Sequence, residues 1–147
     1  KFRGAFNKLT SLSEAQRSMG VMTASTGNHG LAVATVAAER GINATIHAPE
    51  QASRAKLDAI RALGAKVVLH AADPLTIELE ARRISEQTGQ VFVSPYNDLD
   101  VIAGQGTCGL EIIDEATVVS APPYERSARM PSFWPSGPGM HQACFIR

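Results

Sequence analysis

The sequence predicts an α/β protein, a parallel sheet of about four strands flanked by helices, and three observations carry that expectation. Short β-forming runs begin at Val21, Ala44, Lys66 and Val91, at roughly 23-residue intervals. Between successive runs lie segments with helical character, so that strand and helix alternate. A crossover between parallel strands in one sheet is right-handed and usually helical, so covering a parallel sheet with these helices is the economical solution. The order of the strands within the sheet cannot be read from this pattern.

Taken in order, Gly4 to Leu9 reads as a helix with Ala5, Phe6 and Leu9 as its apolar stripe. Ser13 reads as the N-cap of a short helix through Met19, with Glu14 at the positive end of the dipole and Gly20 as the stop. Val21 to Ala24 is the first strand. Leu31 to Arg40, rich in alanine, is a helix able to approach a sheet closely, and Gly41 suits the left-handed position after it. Ala44 to Ala48 is the second strand, ended by Pro49. Ser53 to Leu63 follows, with Ala55, Leu57, Ile60 and Leu63 on one face and Arg54, Lys56, Asp58 and Arg61 on the other. Gly64 closes it, and Lys66 to Ala71 is the third strand. A helix from about Pro74 to Thr88 carries its proline at a tolerated first-turn position and turns Ile77, Ala81 and Ile84 inward. Val91 to Val93 is the fourth strand. Asp100 to Glu115 reads as a final helix, and two glycines inside it, Gly104 and Gly106, each cost about 1 kcal/mol relative to alanine. Close backbone packing would offset that cost, either against a ligand cleft or against another helix.

Composition narrows the function classes. Fourteen basic and fourteen acidic residues cancel and are interspersed, which gives no basic patch for a nucleic acid. No window reaches the roughly 18 apolar residues of a membrane span, and no signal peptide is expected. Cys108 and Cys144 read as reduced thiols of a cytoplasmic protein. His47 and His70 sit in strands without metal-ligand spacing, so no metal is expected. Tyr96, Asn97 and Asp98 follow the fourth strand, as cleft lining or as a solvated loop.

The stretch on which function turns is Thr23 to Gly30, Thr-Ala-Ser-Thr-Gly-Asn-His-Gly. A strand running into a polar loop that opens a helix aims unpaired backbone N–H groups at one spot, which is an anion site. The same residues also suit an ordinary helix cap. Together with Lys1-Phe2-Arg3-Gly4-Ala5 and Ala103-Gly104-Gln105-Gly106-Thr107, in this order, the chain resembles the fold-type II pyridoxal-phosphate enzymes: threonine/serine dehydratases, serine racemases and threonine synthases. The resemblance covers residues 1 to about 116. The Ser-Phe that precedes the family's lysine is absent.

What the resemblance implies is specific. Lys1 falls on the lysine that links covalently to pyridoxal 5'-phosphate and moves the Cα proton, making it both the catalytic and a cofactor-binding residue. Asn28 lies beside the cofactor's phenolic oxygen. Ser25, Thr26, Gly27, Asn28 and His29 hold the substrate carboxylate, with His29 more a packed, orienting histidine than a general base. The implied reaction removes the β-hydroxyl of a threonine- or serine-type amino acid, giving a 2-oxo acid and ammonia. Racemisation is the alternative within the family, and a non-catalytic remnant the alternative outside it. Racemases place a serine where Thr26 stands, and the stiffer β-branched side chain favours elimination. The expected partners are a small hydroxy amino acid and, in the complete enzyme, further copies of the same chain.

The implied organisation is a fragment of the large cofactor domain over 1–20, the small α/β domain and connecting helix over 21–116, and an irregular tail over 117–147. Val118-Val119 would begin a strand there, but Ser120 to Arg147 holds five prolines and no sustained apolar period. Ser136-Gly137-Pro138-Gly139 does not replace the family's phosphate-cradling loop, because its proline supplies no N–H. The chain does not open on methionine and is read as a piece of a longer protein.

Overall fold

Two helices lead into the sheet. In this computed structural model, which describes residues 1–25 and 27–119, they are α1 (Phe2–Ser11) and α2 (Glu14–Met19). Helix α1 buries Gly4, Ala5 and Leu9. Phe6, expected on that stripe, is instead exposed, stacks on Phe2 with ring centroids 6.1 Å apart, and lies under the guanidinium of Arg40. Helix α2 starts with a reciprocal cap: the Ser13 hydroxyl accepts the Gln16 N–H, and the Gln16 side chain accepts the Ser13 N–H. Gly20, at φ 84°, ends it and turns the chain into the sheet.

Four strands follow, β1 (Val21–Ala24), β2 (Ala44–Pro49), β3 (Lys66–His70) and β4 (Val91–Phe92), with helices α3 (Asn28–Arg40), α4 (Arg54–Ala62) and α5 (Pro74–Thr88) between them. All neighbouring strands are parallel and their order is β3-β2-β1-β4. The chain therefore moves outward from β1 to β2 to β3, then α5 carries it back across the sheet to β4 on the far side of β1. That reversal makes a switch point at the carboxyl end of β1, the place where open α/β sheets bind ligands.

Strand alternation sends side chains to two faces. Val21, Ala44 and Ile46 join Ala34, Val36 and Ile60 in the larger core, which also takes in Ala5 and Leu9 of α1. Met22 and Ala24 face the other way and pack with Ile77 and Ala81 of α5. The small side chains of α3 (Ala32, Ala34, Ala37) are buried, and Gly41, at φ 65°, closes that helix in the left-handed conformation its sequence position predicts. Asp73 caps α5 by accepting the N–H groups of Leu75 and Thr76, with Pro74 just inside the helix.

The last helix, α6 (Leu99–Val119), is longer than its sequence pattern suggested. It runs straight through Val118 and Val119, which read as the start of a strand; extending an existing helix adds a hydrogen bond per residue, which outweighs the weak strand preference of two valines. Lys1–Gln105 form one compact unit, and the described part of the second, 106–119, is the remainder of α6. Leu110, Ile112 and Ile113 on that remainder are exposed. Thr26 and the stretch 120–147, with the expectations placed on them, lie outside the described residues. Among the described residues no helix is long and apolar enough to cross a membrane.

Within the first unit, α6 meets α1 at two glycines. A Cβ on Gly4 would lie 2.7 Å from the Val101 carbonyl oxygen, and one on Gly104 would lie 2.5 Å from that of Arg3. The packing alternative for Gly104 is thus the observed one, whereas a Cβ on Gly106 would meet nothing within 4 Å. The crossing is also closed by polar contacts. The Gly4 N–H donates to Gln105 Oε1 at 2.9 Å, Asn7 to the Asp100 carbonyl at 2.8 Å, and Lys8 pairs with Asp98 and Asp100, each at 3.0 Å. Burial pulls the Lys8 pKa down, but the two carboxylates outweigh it and raise it overall. Asp98, which read as loop, also caps α6 by accepting the Asp100 and Val101 N–H groups.

Candidate active site

A cleft of about 660 Å³ opens at the switch point. Its walls come from the loop after β1 (Ser25, Gly27, Asn28, His29), the turn after β4 (Pro95, Tyr96), the α4 residue Lys56, and Lys1. The expected site residues Lys1, Ser25, Gly27, Asn28 and His29, distributed over the first 29 positions, are therefore brought to one cavity.

The loop is shaped by one hydroxyl. Ser25 Oγ accepts the N–H of Gly27 at 3.2 Å and of Gly30 at 3.0 Å. The capping alternative, with Ser or Thr as the N-cap residue, is not what forms: the N-cap is Gly27, without a side-chain cap bond, and Ser25 reaches the helix start from two positions earlier. Ser25 keeps its own proton to donate, and the N–H groups of Asn28 and His29, in the first turn of α3, find no acceptor among the described residues. These two amides, one hydroxyl proton and the positive end of a 13-residue helix form a set of donors whose chemistry suits an anion. Gly30 permits this tight return: a Cβ there would approach Ile46 Cγ2 to 3.0 Å and Ser25 Cβ to 3.2 Å. Lys56 adds a cation the sequence did not single out, its Nζ 3.0 Å from where a Gly27 Cβ would stand.

His29 is 4% exposed. Its Nε2 lies 3.2 Å from the Val93 carbonyl oxygen, which also accepts Thr23 Oγ1 at 2.7 Å. A carbonyl only accepts, so Nε2 carries the proton. Burial depresses the imidazole pKa, the Val93 bond opposes this in part, and the charge of Lys1 depresses it further. The neutral ring thus leaves Nδ1 as a bare acceptor, and Nδ1 is buried without a hydrogen-bond partner. Such an atom costs about 1–3 kcal/mol unless a ligand supplies a donor.

Lys1 stands at the start of α1, exposed, with its Nζ donating to the Pro95 carbonyl at 3.4 Å. That bond is long and leaves most of the ammonium's donor capacity for the cleft. The exposed side chain of Asn28 lines the same cavity. An amine and a neighbouring amide facing one cavity fit an aldehyde-bearing cofactor with hydroxyl and carboxylate groups around it. Beside the loop after β1, His47 of β2 also lines the cleft and bonds to His70 of β3, a pair absent from the sequence reading because its members are 23 residues apart on separate strands. Among the described residues no group of three or more His, Cys, Asp or Glu is placed to hold a metal ion.

The model of the family described as pyridoxal-phosphate dependent enzyme matches residues 1–123. The chain is 50% identical over 115 residues to an L-threonine ammonia-lyase of Thermotoga maritima, which covers 78% of this chain and 29% of that protein. Its fold is similar to a processed threonine deaminase isoform 2 of Solanum lycopersicum, with TM-score 0.71 and 38% identity over 78% of this chain and 33% of that one. It is likewise similar to maize serine racemase, with TM-score 0.73 and 38% identity over 80% of this chain and 36% of that one. The chain thus spans about a third of the length of the relatives it matches.

Proposed function

The chain belongs to the pyridoxal-phosphate dependent enzyme family, and from that premise we propose that it is part of a lyase that eliminates the β-hydroxyl of threonine- or serine-type amino acids to give a 2-oxo acid and ammonia. The observation that carries the reading is the meeting of Lys1, Ser25 and Asn28 in one cleft at the switch point of the sheet. The L-threonine ammonia-lyase and threonine deaminase similarities support the same reaction.

In this reading Lys1 and Asn28 hold the cofactor, Lys1 through its amine and Asn28 through its side-chain amide. When bound, pyridoxal phosphate supplies a conjugated ring that takes up the electron pair released at Cα. The substrate carboxylate rests on the Asn28 and His29 N–H groups and the Ser25 hydroxyl, with Gly27 keeping the approach open. His29 contributes its backbone, since its ring Nδ1 can only accept. Lys1 Nζ, once free, takes the Cα proton. The carboxylate anchor fixes which bond at Cα faces that amine, so orientation and proton transfer come from opposite ends of the substrate. Residues 1–20 are read as part of the cofactor domain and 21–116 as the small domain with its connecting helix, in a cytoplasmic homo-oligomer.

The test uses the complete protein with pyridoxal phosphate. Borohydride reduction should add the cofactor's mass to the peptide carrying Lys1, and L-threonine should yield 2-oxobutanoate. A cofactor trapped elsewhere, or not at all, would remove the basis of the assignment. The maize serine racemase similarity favours a second reading, amino-acid racemisation. Chiral analysis of L-serine after incubation separates the two, since D-serine without 2-oxo acid would replace the lyase by the racemase.

A further inference from the structure

The His47–His70 pair has no part in the chemistry above. His47 and His70 point to the α5 side of the sheet from adjacent parallel strands, where β2 pairs with β3. Their rings stack with centroids 5.0 Å apart and planes inclined by 24°, and His47 Nδ1 lies 2.8 Å from His70 Nε2. His47 is only 3% exposed, yet it lines the cleft. It sits beside the carboxylate loop, opposite Ala24 in the sheet register, and its own carbonyl accepts the Ser25 N–H at 2.9 Å. Its second nitrogen, Nε2, makes no hydrogen bond among the described residues and is not sealed off from the cleft.

Counting protons on the four ring nitrogens restricts what this pair can do. Two neutral imidazoles carry two protons: one bridges Nδ1 and Nε2, and the other sits on either His47 Nε2 or His70 Nδ1. One further proton fills both outer positions, whichever ring is then assigned the charge. His47 Nε2 is an N–H donor in every arrangement of that charged pair. A second added proton would set two N–H groups against each other across 2.8 Å, so the capacity is a single proton.

The surroundings of His47 disfavour its positive form. Burial depresses the His47 pKa most, His70 and Lys66 depress it further, and Glu80 on α5 opposes them. The titratable groups lining the cleft side are Lys1, Lys56 and Glu78, and the carboxylate of Glu78 is paired with Arg82 at 2.9 Å. His29 is neutral, and the β1 residue opposite His47, Ala24, has no titratable group. An arriving anion would reverse that balance.

We propose that the His47–His70 pair takes up one proton as a carboxylate enters the cleft, and then offers the N–H of His47 Nε2 to the ligand side. The inference rests on the reading of the Ser25–His29 loop as the carboxylate site. Its sign follows from linkage: the bound carboxylate raises the pair's pKa, so affinity is highest where the pair is already charged. Affinity falls as pH climbs from the free pair's titration toward the bound pair's. Within that window the Kd rises by up to about tenfold per pH unit, the limit for one linked proton.

Titration calorimetry of the full chain with propionate, in PIPES and in imidazole at several pH values between 6 and 8, measures the uptake through the difference in buffer ionisation heat. Uptake approaching one proton per propionate is expected in the window, together with an upward shift of the two imidazole titrations followed by NMR on histidine-labelled protein. The doubly substituted protein, His47→Gln with His70→Gln, should bind propionate with no uptake and a flat pH profile. Binding without uptake in the unsubstituted protein, or imidazole titrations that propionate leaves unmoved, overturns the proton-uptake inference alone. Unchanged uptake in the double variant overturns it as well. No propionate binding at any pH overturns the carboxylate reading and this inference together.

Discussion

The crossing of α1 and α6 and the loop after β1 are both built on glycine and on side-chain to backbone hydrogen bonds, but they treat their polar groups in opposite ways. At the crossing every donor named above is matched: the Gly4 N–H by Gln105, the Asn7 amide by the Asp100 carbonyl, and the Lys8 ammonium by two carboxylates. At the loop the Ser25 hydroxyl satisfies two N–H groups while two more, the Lys1 amine and His29 Nδ1 stay largely or wholly unmatched. Buried polar groups in folded proteins are overwhelmingly paired. A saturated contact therefore marks a joint, and a cluster of unmatched groups lining a cavity marks a place for a ligand.

Substitutions can push on this contrast from both sides. The largest effect is expected for Lys1→Ala in the complete enzyme, on the order of 10²- to 10⁴-fold in turnover. Without cofactor the melting temperature should stay unchanged, because Lys1 then contributes only one long bond; a matching loss of stability would make it part of the joint. At the joint itself, Gly104→Val drives a side chain into the Arg3 carbonyl, and a loss of about 3 kcal/mol is expected in denaturant titration. Lys8→Met should cost about 2 kcal/mol by leaving Asp98, whose side chain is only 8% exposed, without its cation. The raised Lys8 pKa means this contribution is complete at neutral pH and fades only as pH rises through the raised value. Ser25→Ala should lower stability by about 1 kcal/mol, the usual worth of a cap. It should also weaken propionate binding; a stability loss with unchanged binding would return the loop to a plain helix cap. The smallest change is a gain: Gly106→Ala, in a helix with open space around the site, should stabilise by about 0.5–1 kcal/mol.

The glycine pair also shows where sequence reasoning stops. Gly104 and Gly106 are indistinguishable as helix-interior glycines, and only the position of α1 makes one indispensable and the other replaceable. Phe6 likewise fits an apolar stripe by spacing but ends up on the surface against Phe2 and Arg40, while Gly4 takes the buried place.

Local order was written in the sequence: the four strands, the helices between them, the Ser13 cap, the Gly41 stop and the polar loop opening α3 all follow from short-range spacing, capping and backbone permissiveness. The strand order β3-β2-β1-β4, the Gly4–Gly104 crossing, the tie of Lys8 to Asp98, the Lys56 cation over Gly27 and the His47–His70 pair were decided by the tertiary fold. Each joins residues from separate elements, some more than 90 positions apart, whose meeting depends on which strands become neighbours. Periodicity within one element carries no term for that choice, because it is made by burying two faces of the sheet at once.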